Sequence, residues 1–185
     1  MGVASTTMVR SAVVPSGSLL RRYLASGAYA DCYVTELQAA VSHAQFVEAF
    51  YTTSLFKLER FLLRLFLSRP STDAQTKQLA EGQLSSFAAW SVESRAENQL
   101  VLAAGRTRSW LMIAAGPSTA PIRTQLFFGS AVLPRRSSSA GRAGIGPLFT
   151  ALLGFHKLYS RALLWSARVR LSKQARGGHA HRGNA

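Results

Sequence analysis

After residue 83 the chain changes rhythm, and that change rules out most folds. Between Ser42 and about Gln83 the apolar residues recur mostly at steps of three and four; from Phe87 onward they alternate with polar or small ones. Phe87–Arg95, Gln99–Ala104, Arg108–Ala115 and Arg123–Leu133 each read as strands. Turn signals separate them at Glu97-Asn98, at Gly105 and at Gly116-Pro117-Ser118. Links this short predict an antiparallel meander with one packed face. After the Ser/Gly/Arg-rich stretch Pro134–Gly146, which reads as a mobile loop, the helical period returns. Leu148, Leu152, Phe155, Tyr159, Leu163 and Val169 share one side of a helix ending near Leu171, with Lys157, Arg161 and Arg168 on the opposite stripe.

Upstream of the meander, Ser18–Ser26 reads as a short helix stopped by Gly27, and Tyr29–Leu37 as the first strand. Ser42 and Gln45 have the spacing of a capping box. The helix they open carries Phe46, Val47, Phe50, Tyr51, Leu55, Leu58, Phe61, Leu62 and Leu65 on its apolar side. A break is expected near Thr52-Thr53-Ser54, where hydroxyl and β-branched side chains weaken a helix, and an end at Pro70. Ser71-Thr72-Asp73 then starts a shorter, more polar helix. The fold class predicted is α+β: an antiparallel meander sheet packed on a long C-terminal helix, with two helices inserted after the first strand. One domain is expected over 18–172, between a flexible N-terminal tail (1–17) and a basic, disordered C-terminal tail (173–185).

Charge bears on partners. The formal net charge is +14, and all eight carboxylates lie between Asp31 and Glu97. Basic ends without acids attract polyanions, so nucleic acid and an anionic membrane surface are both candidate partners. Cys32 is the single cysteine, which excludes an internal disulfide and a multi-cysteine zinc site. Its strand-like setting, Ala30-Asp31-Cys32-Tyr33-Val34, predicts a packed, unreactive thiol. The two most apolar stretches, 55–67 and 148–165, are interrupted by charged residues, so neither reads as a membrane span. A soluble, cytoplasmic protein is the expectation.

Catalytic motifs are harder to find. The chain contains no Gly-x-Ser-x-Gly, no phosphate-loop Gly-x-x-x-x-Gly-Lys, no His-Glu-x-x-His and no Gly-x-Gly-x-x-Gly. No catalytic residue, metal ligand or cofactor is assigned. His179 and His181 lie in the Gly-rich tail, where they would bind metal only adventitiously, and His43 falls in the first turn of a helix with no evident role. Trp90, Arg108, Trp110, Phe128, His156 and Tyr159 are the candidates to line a pocket for a small apolar or amphipathic ligand, since such sites combine apolar walls with a few polar groups. Arg106, Arg108, Trp110 and Met112 alternate onto one strand face, a pattern that also suits stacking on a nucleic acid strand. A cyclase- or hydratase-like enzyme using His156 and Tyr159 as acid–base pair is a further alternative.

Tyr29-Ala30-Asp31-Cys32-Tyr33 near the start and Leu153-Gly154-Phe155-His156-Lys157-Leu158-Tyr159 near the end, with the meander between them, resemble a bacterial family catalogued as domain of unknown function 2867 over about residues 18–172. The resemblance implies a helix-grip-like shell, similar to polyketide cyclase and lipid-transfer domains, in which a curved sheet wraps a long C-terminal helix around a cavity. It implies no catalytic residues.

Overall fold

The computed structural model describes residues 8–57, 71–116, 122–134 and 147–182. The expected helix beyond residue 57, its end at Pro70, most of the loop before Pro147 and the first seven residues lie outside them. The strands are β1 (Arg10–Ser11), β2 (Tyr29–Leu37), β3 (Ser86–Phe87), β4 (Trp90–Ala96), β5 (Gln99–Ala104), β6 (Thr107–Ala115) and β7 (Thr124–Val132). The helices are α1 (Arg21–Ala25), α2 (His43–Tyr51), α3 (Asp73–Ala80) and α4 (Pro147–Arg182). All seven strands join one antiparallel sheet in the order β1-β2-β7-β6-β5-β4-β3. The meander therefore starts at one edge with β3 and ends at β7, which pairs along its whole length with β2, from Tyr29↔Val132 to Leu37↔Thr124.

Local chemistry sets the helix boundaries. The Ser42 hydroxyl accepts from the Gln45 backbone N–H (3.1 Å) and the Gln45 side chain accepts from the Ser42 N–H (2.8 Å), closing the expected capping box. Thr72 and Gln75 make the same exchange at the start of α3. At the expected break, the Thr52 hydroxyl donates to the Glu48 carbonyl (2.6 Å) and the Thr53 hydroxyl to the Phe50 carbonyl (3.0 Å). The same Thr53 oxygen accepts from the Phe56 N–H (3.2 Å), so one side chain ends α2 and starts the helical turn at 54–57.

Alternation along the strands gives the sheet two apolar faces. One carries Tyr33, Leu37, Leu100, Leu102, Leu111, Leu126 and Phe128, buried against Phe46, Phe50 and Leu79 and against Leu163, Leu164 and Leu171 of α4. The other carries Cys32, Val34, Val101, Trp110, Met112, Phe127 and Ala131, covered by Val14, Leu20, Tyr23 and Ala28.

Two boundaries differ from expectation. The segment expected to be a tail through residue 17 supplies β1, which pairs with Val34 and Tyr33, and buries Val14; the sheet's second face needs a cover, and this segment provides it. At the other end α4 continues through 173–182, past Ser172. Glycine in a helix interior costs about 1 kcal/mol but does not forbid the conformation, and Lys173 and Arg176 sit well toward the negative C-terminal end. Among the described residues no helix is long and apolar enough to cross a membrane.

Candidate functional site

The six residues singled out in the sequence do not gather at one place. Phe128 faces the helices, with its ring 4.8 Å from that of Phe50, and Trp90 lies 5.5 Å from Phe56 on the same side. His156 and Tyr159 reach that side from α4. Arg108 and Trp110 are on the opposite face. Trp110 is fully buried there, and its indole N–H donates to the Gln99 side chain (3.0 Å), so the indole is a satisfied core group. Arg108 is paired with Glu93 and lies over the Tyr23 ring at 5.8 Å, which fastens α1 to the sheet. A pocket lined by all six, and a nucleic-acid face presenting Trp110, are both incompatible with this placement.

His156 belongs to a polar chain that crosses the helix–sheet seam. Asp31, on the helix-facing side of β2, accepts from the Ser130 N–H (3.1 Å) and hydroxyl (2.7 Å) and from the Tyr33 hydroxyl (3.3 Å). The Ser130 oxygen lies 2.8 Å from Nε2 of His156, which is itself 3.5 Å from Asp31. A carboxylate only accepts, so the single Ser130 proton goes to Asp31, and Nε2 must donate to the Ser130 oxygen. That polarity is the reverse of a nucleophilic serine activated by histidine, where the serine proton points at the imidazole. The chain pins α4 to β2 and β7. Burial, reinforced by Asp31, raises the Tyr33 hydroxyl pKa well above its usual range, so it stays protonated and remains a donor. Tyr159 stacks on Phe155, with ring centroids 6.0 Å apart and planes 12° from parallel.

A cleft of about 980 Å³ opens elsewhere, where the start of α2, the end of α3 and the β4–β5 turn converge. Ser42, His43, Ala44, Ala80, Glu81, Gly82, Ile113 and the run Arg95–Asn98 line it. The turn is held by Asn98, whose side chain donates to the Ile113 carbonyl (3.0 Å) while its own carbonyl accepts from the Ile113 N–H (3.1 Å). Arg95 donates to the Leu79 (2.6 Å) and Ala80 (3.5 Å) carbonyls, placing its cation at the negative end of α3.

Of the described residues with a buried, unpartnered side-chain atom, His43 is the one that lines this cleft. It is only 7% exposed, and its Nε2 has no hydrogen-bond partner. Burial lowers its pKa to about 4, with the nearby Arg95 charge acting the same way and the Leu111 carbonyl opposing. The ring is therefore neutral at pH 7. Sequence reasoning gave His43 no role, yet a signal was present: 43, 46, 47 and 50 fall on one helical side, the side that Phe46, Val47 and Phe50 carry into the core.

Cys32 is buried, and burial followed by the Asp31 charge pushes its thiol up to about 12, which leaves it unreactive. Among the described residues no three His, Cys, Asp or Glu side chains converge as metal ligands. No protein-family model, curated protein or solved structure matches the chain.

Proposed function

We propose that this is a small-molecule-binding domain of the helix-grip kind, whose ligand enters the cleft between α2, α3 and the β4–β5 turn. The order of elements supports it: the long strand β2 lies beside the last strand, β7, and the C-terminal helix packs across these two and against α2. The observation that carries the reading is His43. A buried polar atom without a partner costs about 1–3 kcal/mol, and among the described residues His43 Nε2 is the one such atom on a residue that lines the cleft, where a ligand can supply the missing bond.

The chemistry of the lining narrows the ligand. The neutral His43 ring directs its one N–H at the Leu111 carbonyl and keeps the lone pair on Nε2, so the ligand presents a hydroxyl or N–H donor. Ala44, Ala80, Ala96 and Ile113 supply apolar contact beside it. An amphipathic molecule with a hydrogen-bond donor fits both. Nε2 is closed to solvent as the cleft stands, so binding opens the rim before the bond forms.

Native mass spectrometry of the protein taken from its natural host should show a small-molecule adduct that His43→Phe loses or holds about tenfold more weakly, as 1.4 kcal/mol per tenfold requires for one hydrogen bond. A wild-type protein with no adduct would overturn the proposal if, in addition, its His43 and Ile113 NMR signals stayed fixed on titration with hydroxylated and amide-bearing aromatic fragments.

A further inference from the structure

The outward side of α4 is apolar where a solvated helix face is normally polar. Phe155 is 67% exposed, Leu158 69% and Trp165 54%. At about 100° per residue these three and Ala162 fall within an arc of roughly 80°, opposite the side that Ser160, Leu163, Leu164, Ala167 and Leu171 bury in the core. Single exposed apolar residues need no explanation, but a contiguous stripe marks an interaction surface.

What covers this stripe follows from the charges around it. The helix carries Lys157, Arg161, Arg168, Arg170, Lys173, Arg176 and Arg182 and not one acidic residue. Lys157 is exposed on one shoulder of the stripe, Arg161 beside it donates to the Ser11 hydroxyl (2.9 Å), and Lys173 and Arg176 are exposed two to three turns beyond Trp165. A second copy of the chain would bring the same cations against each other. A nucleic acid duplex turns phosphate and sugar outward, and the bases of a single strand stack on rings but leave the aliphatic Leu158 and Ala162 of the stripe uncovered. An anionic bilayer satisfies both parts at once. Phosphate headgroups meet the lysines and arginines, and Trp, Phe and Leu enter the boundary between headgroups and acyl chains.

We propose that the outward face of α4 docks this protein onto anionic lipid membranes, lying in the plane of the surface. The inference is independent of the cleft. The full-length chain should co-sediment with vesicles of phosphatidylcholine containing about a third phosphatidylserine and not with phosphatidylcholine alone, and raising salt should release it, as expected of headgroup attraction screened by ions. Trp165 emission should shift to the blue on binding, a shift lost in Trp165→Phe if that residue enters the bilayer.

The exposed triple variant Phe155→Gln/Leu158→Gln/Trp165→Gln should lower the vesicle partition coefficient by at least tenfold while circular dichroism and thermal midpoint stay near wild type. Three results would overturn the proposal. One is equal vesicle binding by the folded triple variant, which would assign attachment to charge elsewhere. Another is absence of wild-type binding to phosphatidylserine vesicles at low salt. The third is a wild-type dimer in sedimentation that the triple variant dissolves, with no lipid binding, which would give the face to a second copy.

Discussion

The two faces of the sheet are covered in different ways. On the helix side the cover is long and its contacts are rings: Phe50 alone lies 6.1 Å from Phe46, 5.2 Å from Tyr51, 6.3 Å from Phe56 and 4.8 Å from Phe128. On the far side the cover is the segment 12–28, whose single helix is five residues long. A segment that small buries too little to hold itself by area alone, and directional bonds take over. Gln99 donates to the Gly17 carbonyl (3.1 Å), and its side-chain oxygen accepts from the Leu19 N–H (2.8 Å) and from Trp110. Gly129 has room for no more than hydrogen: a Cβ there would stand 2.6 Å from Leu20 and 2.8 Å from the Asp31 carbonyl. Where apolar area is abundant, ring contacts close the face. Where it is scarce, hydrogen bonds specify the fit.

The largest effect should come from emptying the ring cluster. Phe50→Ala deletes a ring in contact with four others, and such truncations cost about 3–5 kcal/mol. For a chain of this size that lowers the thermal midpoint by roughly 6–20 °C, measurable by calorimetry. A loss below about 1 kcal/mol would show that α2 contributes little to the helix-side core and would erase the contrast.

Next is the acid response of the helix side. His43 has its pKa lowered to about 4 in the fold, against an ordinary value of 6.5. The unfolded chain therefore binds the proton more readily. Stability is intact above about pH 6.5, falls as pH drops, and stops falling near pH 4, for a total on the order of 3 kcal/mol at 1.4 kcal/mol per pKa unit. Arg95 faces the ring and acts in the same direction. Urea midpoints measured from pH 7.5 to 4 should show this slope in the wild type and a shallower one in His43→Phe. Equal slopes would mean that the ring accepts its proton without opposition.

Much of the fold was legible because its signals are local. The period-two segments from Phe87 to Leu133, the Ser42–Gln45 capping box, the helix start at Ser71-Thr72-Asp73 and the break at Thr52-Thr53 depend on neighbours within a turn or a hairpin, and the structure has them close to where the residues place them. The site was less legible. Trp110 and Phe128 look alike as aromatic residues in alternating strands, and only pairing partners distant in sequence decide which face each takes. Leu111↔Phe128 is one register pair and Trp110↔Gly129 the next, so the two aromatics lie on opposite sides. Asp31, Ser130 and His156 come from three elements, and no spacing announces them. The role of residues 10–17 was hidden for a related reason: a cover that works by a few long-range bonds, such as Gln99 to Gly17, leaves little periodicity in the chain that supplies it.

The smallest effect tests the far side directly. Gln99→Leu keeps the volume but strands the Trp110 and Leu19 N–H groups and removes the donor to the Gly17 carbonyl, at about 2 kcal/mol in total, since a buried unmet donor costs upward of 1 kcal/mol. The consequence should be local. Trypsin should cut faster at Arg21 and Arg22, which the segment carries in α1, while cleavage within the helix-side core is little changed, because detaching a short cover requires only partial unfolding. If the variant loses stability with no change in cleavage at those arginines, then Leu20 and Tyr23 hold the segment by apolar contact, and both faces of the sheet are closed by the same means.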